Sequence, residues 1–270
     1  MLIRWTFKPY SIAEVMTMQI FGRTQPLAQY PILTCLEVIQ RLGFDGVEIC
    51  LENPDLDPAS LTEELARRVG DHARSLGLAC SVSYHKDYVY DDEMLKQTIR
   101  AIELVPAFGC DVFIISNPVR RTGDADEWRR TVDRTRELVR VAEQVGVTLA
   151  EEFEPGFVIG STADLHRLFD EIPSPHLQAN VDLGHVFLCD PQPLEAIRSL
   201  QGRIVHGHVE NMASGVHRHL LPWEGDMDLA AYMRVLDEIG FDGPLALDLY
   251  EQDYEAVGQR AVAYLRELIP

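Results

Sequence analysis

A short apolar stretch followed by a longer amphipathic one recurs along this whole chain, and few architectures accept that pattern. The apolar stretches are Leu2–Lys8, Gly46–Leu51, Leu78–His85, Asp111–Ser116, Val147–Glu152, Leu177–Asp182, Arg203–His208 and Pro244–Tyr250. Each has the length of a strand. Between them, apolar residues recur at helical spacing, as in Leu229, Tyr232, Met233, Leu236 and Ile239, closed by Gly240. A second helix is expected to open at Asp57-Pro58-Ala59-Ser60, with Pro58 in the first turn and Ser60 with Glu63 as a capping box. Strand and helix alternating from end to end imply a parallel sheet. Eight units in 270 residues favour a closed (β/α)8 TIM barrel, one domain spanning 1–270, over an open doubly wound sheet. No G-x-G-x-x-G follows an early strand, as a dinucleotide-binding open sheet would require. The tetrapeptide GFDG occurs at 43–46 and 240–243, each time between a helix end and a strand start, where glycine serves an αβ turn.

Side chains alternate across a strand, so in a barrel one parity faces the helices and the other the interior. In strand five Val147, Leu149 and Glu151 take the outer parity and Thr148, Ala150 and Glu152 the inner one. Gln178, Asn180 and Asp182 point inward from strand six, His206 and His208 from strand seven, and Ala246, Asp248 and Tyr250 from strand eight. Glu152, Asp182, His208 and Asp248 thus stand at or near the C-terminal ends of four consecutive strands. Glu48 and His85 approach from the opposite wall, and Lys8 ends strand one. Three carboxylates and an imidazole converging in a closed mouth repel one another unless a cation joins them. Mixed oxygen and nitrogen ligands suit one divalent ion, manganese first, with magnesium, cobalt or zinc as alternatives.

The net charge of −19, with no basic stripe, argues against nucleic acid and anionic membranes as partners. No apolar run approaches the ~20 residues that span a bilayer, and MLIRWTFKPY lacks the plan of a signal peptide. Cys35, Cys50, Cys80, Cys110 and Cys189 are scattered, without a C-x-x-C, which fits free thiols in a cytoplasmic protein. Of these, Cys50 alone falls near the expected site.

Several motifs, in order, give the chain a resemblance to the xylose isomerase-like superfamily of barrel sugar isomerases and epimerases. GFDGVEI resembles the superfamily's strand two, VTLAEEFEPG its L-A-x-E-N-H-P-G, NVDLGH its D-x-G-H and HGHVEN its H-x-H-[VIL]-K-D. PWEGDMDL and GPLALDLY are similar to its P-G-x-G-x-[VL]-D and G-P-L-S-L-E-x-Y. The resemblance places Glu152, Asp182 and His208 on metal ligands and His185 on a substrate-contacting histidine. It departs in three places: Asp248 replaces a metal-binding glutamate, Trp223 a glycine, and Glu154 a frequent histidine.

The implied chemistry is proton transfer beside a carbonyl of an open-chain keto sugar or keto-cyclitol, through an enediolate. Glu152 would be the base and Asp248 the acid, with Glu251 as the alternative eighth-strand carboxylate. Returning the proton to the other face makes an epimerase, and to the next carbon an isomerase. Expelling a β-leaving group makes a dehydratase or a C-glycoside-cleaving lyase. Two other classes remain: a metal-dependent abasic-site endonuclease, with His185 and His206 as extra ligands, and a non-catalytic sugar-binding barrel. Substrate contacts are expected from His185, His85, Glu48, Lys8, Arg218 and Trp223. The expected partner is a small-molecule sugar or cyclitol, without nucleic acid or membrane; the oligomeric state, including a homo-oligomer, stays open.

Overall fold

The computed structural model describes residues 18–116 and 119–270. Its strands are β1 (Gln19–Arg23), β2 (Gly46–Cys50), β3 (Ala79–His85), β4 (Val112–Ser116), β5 (Thr148–Glu152), β6 (Leu177–Asp182), β7 (Ile204–Val209) and β10 (Pro244–Leu247), with β8 (Asn211–Ala213) and β9 (Val216–Leu220) between the last two. The first seven and β10 form one closed barrel in the order β1-β10-β7-β6-β5-β4-β3-β2. Every pairing in it is parallel. β8 and β9 make a separate antiparallel pair over the mouth. The helices are α1 (Ile32–Leu42), α2 (Glu63–Ser75), α3 (Asp92–Phe108), α4 (Glu127–Val145), α5 (Thr162–Glu171), α6 (Leu183–Cys189), α7 (Pro193–Ser199), α8 (Leu229–Glu238) and α9 (Tyr254–Leu268). The chain is a (β/α)8 TIM barrel.

From β2 onward the expected strands meet the observed ones, with ends displaced by a few residues. The first strand does not. The stretch Leu2–Lys8, with Lys8, Trp5 and Phe7, lies outside the described residues, and Gln19–Arg23 closes the barrel between Pro244 and Gly46. A strand ending at Lys8 would have left residues 9–31 as a connection, longer than the ~12–15 residues that compact domains usually tolerate. The helix expected from Pro58 also starts later. Asp57 Oδ1 accepts the Ala59 N–H at 2.9 Å and turns the chain. Leu61 is then buried, and Thr62 caps α2 by accepting from the Leu65 N–H at 3.2 Å. Ser60 is therefore not the cap.

The hydrophobic core lies between barrel and helices, where Val47, Ile49, Val82, Phe113, Leu149, Val181 and Leu245 meet the helix faces. Inside the barrel, residues of the other parity (Phe21, Ile114, Ala150 and Ala246) are buried and fill its lower part. Gly46 is required there because a Cβ would run into the Phe21 ring. Asp45 of the same tetrapeptide accepts the Ile20 N–H at 2.9 Å, tying the turn to β1. This apolar plug leaves polar side chains only the upper half of the barrel, toward the C-terminal strand ends, as barrel enzymes require.

Candidate metal and substrate site

His208, from the end of β7, is fully buried at the centre of that upper half. Its Nδ1 lies 3.2 Å from Glu152 Oε1 and 3.9 Å from both Asp182 Oδ2 and Asp248 Oδ2. Its Nε2 faces Glu48 Oε2 at 2.8 Å. A carboxylate only accepts, so Nε2 carries a proton and donates it to Glu48. In the neutral ring, Nδ1 then offers its lone pair to the side where three carboxylates meet. That is the tautomer a metal-ligating histidine needs, fixed by an outer carboxylate. In the chain as it stands, burial works against a charged ring, but Glu152 and Glu48 together hold the His208 pKa well above its ordinary value. Burial likewise opposes ionisation of Glu48, and Arg23 and His208 outweigh it, holding its pKa well below the usual carboxylate range.

A second row of polar groups supports the first from below. Asn180 Nδ2 donates to Glu152 Oε2 at 3.1 Å, and Asn180 Oδ1 lies 2.9 Å from His206 Nδ1. His206 Nε2 meets Ser81 Oγ, across the barrel on β3, at 3.1 Å. Burial pushes the His206 pKa down to about 3. The ring is neutral, donates through Nδ1 to Asn180 and accepts from Ser81. Glu152 is thereby fixed by a chain crossing the barrel interior, and its pKa lies well below the ordinary value: burial opposes this, while His208, His85 and His185 favour it.

Arg23, at the end of β1, is the residue that the sequence reading missed. It is 4% exposed; its Nε donates to Glu48 Oε1 at 3.0 Å and its Nη1 pairs with Asp248 Oδ2. Despite burial, Arg23 is the main group holding Asp248 ionised, with its pKa below the ordinary value. With strand one placed at Leu2–Lys8, no argument about parity could bring Arg23 to the mouth.

Above these groups opens a cavity of about 330 Å³ lined by Arg23, His85, Lys86, Glu152, Glu154, His185, His217, His219, Asp248 and Tyr250, among others. His185 Nδ1 donates to the Phe153 carbonyl at 2.9 Å, and its Nε2 stands 3.0 Å from His217 Nε2. His219 Nδ1 donates to the Asp248 carbonyl at 2.9 Å. The H-R-H run lies on β9, so strand alternation turns His217 and His219 together and Arg218 the other way. Strand parity over Val216–Leu220 is the signal that places both histidines on one face. His85 Nδ1 meets Ser116 Oγ at 2.9 Å. Glu154 is half-buried on the rim; burial first, then Glu152 and Asp182, push its carboxyl up to about 8.

Of the expected metal ligands, Glu152, Asp182 and His208 bring ligand atoms within 4.8 Å of one another. Asp248 lines the same cavity, but at that distance it groups with Asp182 and His219. Among the expected substrate contacts, His185 and His85 line the cavity, whereas Glu48 is buried behind His208. Arg218 is exposed and pairs with Glu251 at 3.2 Å, which also takes Glu251 off the mouth. Trp223 lies under Arg260, 3.8 Å from its guanidinium, with Tyr264 at its edge, and packs against α9 rather than lining the cavity. Cys50 is buried beside Glu48, its Sγ 3.6 Å from the Glu48 carbonyl.

The donor set fits a divalent cation. Asp182 Oδ2 and Asp248 Oδ1 are buried and have no hydrogen-bond partner among the described residues. A buried carboxylate oxygen left bare costs free energy, and a cation beside His208 Nδ1 would satisfy Asp182 Oδ2.

Known proteins share this arrangement of chain. The model of the family described as xylose isomerase-like TIM barrel matches residues 36–268. A fructoselysine 3-epimerase of Escherichia coli is 26% identical over 89% of this chain and 94% of its own. A 3-dehydroshikimate dehydratase of Pseudomonas putida is 26% identical over 86% of this chain and 39% of its own. A solved D-psicose 3-epimerase from Clostridium cellulolyticum, crystallised with D-tagatose, superposes with a TM-score of 0.79 at 14% identity, covering 93% of this chain and 99% of that one. The likeness reaches epimerases and dehydratases alike and so carries the superfamily rather than one substrate. The chain belongs to the xylose isomerase-like TIM barrel family of sugar epimerases and related enzymes.

Proposed function

We propose that this enzyme moves a proton next to the carbonyl of a keto sugar or keto-cyclitol, as an epimerase or isomerase, with one divalent cation held by Glu152, Asp182 and His208. The observation that carries this is the geometry at His208: Nε2 committed to Glu48, and Nδ1 facing Glu152, Asp182 and Asp248. A divalent cation bound there, manganese by preference, would supply positive charge against the enediolate that forms as the α-proton leaves. The chain's own residues do the rest. Glu152, ionised and oriented by Asn180, takes the proton. Asp248, on the other side of His208, would return to the opposite face a proton drawn from solvent through the open cavity. His185 and His85 line the cavity, and His85 Nε2, unpartnered among the described residues, would meet a substrate hydroxyl. The net charge of −19 continues to disfavour a nucleic-acid substrate, and the free cysteines suit a cytoplasmic enzyme.

Glu154 favours dehydration as the second reading. A carboxyl with a pKa near 8 on the cavity wall can protonate a departing hydroxyl where a plain epimerase needs no such acid. The test is turnover in deuterium oxide with manganese, using D-psicose, D-fructose and scyllo-inosose. Gain of one mass unit in the sugar supports epimerisation or isomerisation, and loss of water supports dehydration. Neither change on any of them, with cleavage of abasic DNA instead, would contradict both.

A further inference from the structure

Resting on the reading that the mouth holds a divalent cation, we propose that Arg23 keeps Asp248 out of the metal's ligand shell. The protein then gives the metal three side chains, not four, and Arg23 is a positioning residue that reserves Asp248 for the substrate. Asp248 sits just beyond the C-terminal end of β10, where a carboxylate would complete the ring formed by Glu152, Asp182 and His208. Its ligand atoms nevertheless do not fall in that group. The oxygen nearest His208, Oδ2 at 3.9 Å, is the one paired with Arg23 Nη1. Aspartate lacks one methylene of glutamate's reach, and its pairing with Arg23 holds the carboxyl toward β1, where its ligand atoms group with Asp182 and His219.

Arg23 is built to hold this position. Its backbone N–H donates to the Tyr254 hydroxyl at 3.0 Å, and that hydroxyl donates to the Leu247 carbonyl at 3.0 Å, locking β1 to the residue before Asp248. Its Nε is fixed on Glu48 at 3.0 Å. The guanidinium is a planar fork with its two arms already engaged on different carboxylates. Asp248 therefore meets a fixed cation before any metal arrives, and its other oxygen, Oδ1, is left without a partner among the described residues. That oxygen is the one free to meet a substrate hydroxyl or carry its proton.

The experiment measures manganese affinity of the full chain by calorimetry, with circular dichroism to confirm folding. Asp182→Asn should weaken binding at least tenfold, and Asp248→Asn by less than about threefold. Arg23→Met should tighten binding, because the released Asp248 can join the metal; structural damage at a buried site would weaken it. The double variant Arg23→Met/Asp248→Asn should return toward the wild-type value. Should Arg23→Met fail to fold, Arg23→Gln gives the same sign test, and Asp248→Asn against Asp182→Asn decides alone. Equal losses for Asp248→Asn and Asp182→Asn would overturn the inference. So would weaker binding in a folded Arg23→Met. Wild-type protein that binds no divalent ion would instead remove the metal reading itself.

Discussion

Glu48 lies out of reach of a substrate, yet it decides which nitrogen of His208 faces one. Replacing it with glutamine removes the charge that fixes the ring and half of the support for Arg23. Manganese affinity should fall by about tenfold or more, the usual cost of losing an outer partner of a metal histidine; titration calorimetry that finds no change would show that Glu48 does not orient the ring. Asp248→Asn tests the proton carrier. Its turnover should drop by ~10² or more, because an amide cannot shuttle protons, while its affinity for manganese is nearly kept. Asp248→Glu should push the carboxyl toward the metal, and steady-state kinetics should show whether added reach raises or lowers turnover. At this scale the sequence was legible where parity and strand ends coincide: Glu152, Asp182, His208 and Asp248 all face the mouth. It was not legible where a contact spans distant strands. Nothing in the local pattern of QIFGR says that its arginine meets carboxylates on β2 and beyond β10.

Strand β5 shows how an element divides its labour. Glu152 points inward to the site, and its neighbour Glu151 points outward into the packing against α4, where it is fully buried. Tyr88 donates to Glu151 Oε2 at 3.2 Å, while Oε1 has no partner among the described residues. Burial raises the Glu151 pKa well above its ordinary value. A carboxyl whose folded pKa is raised stabilises the fold most below its unfolded value of about 4.3, and that stability is lost as pH rises toward the folded value. Glu151→Gln should therefore raise the melting temperature by about 2–4 °C at pH 8 and leave it nearly unchanged at pH 4, as scanning calorimetry would show. No gain at pH 8 would mean that Glu151 is not held neutral. Outward parity was readable for Glu151, but outward parity alone does not tell a buried acid from a solvated one. In β2, Gly46→Ala would drive a methyl into the Phe21 ring. Thermal melts should show a loss of about 1–3 kcal/mol, and an unchanged midpoint would place the ring elsewhere.

At the scale of the whole molecule, closure makes the architecture robust to a misplaced first strand. Seven strand–helix units already demand an eighth partner, so the fold class was legible even though Gln19–Arg23, not Leu2–Lys8, supplies it. Closure also gathers one residue from each strand end over an apolar plug, and this is why widely spaced side chains share one cavity. Among the described residues no helix is long and apolar enough to cross a membrane. The hairpin of β8 and β9 adds histidines to that mouth which the repeat pattern alone does not foretell. The central claim is that this mouth is a metal centre organised around His208 Nδ1. A crystal grown with manganese and measured at the manganese absorption edge tests it directly. The account predicts one anomalous peak at about 2.0–2.3 Å from Glu152, Asp182 and His208 Nδ1; a mouth without a peak, or a peak that His208 does not touch, would contradict it.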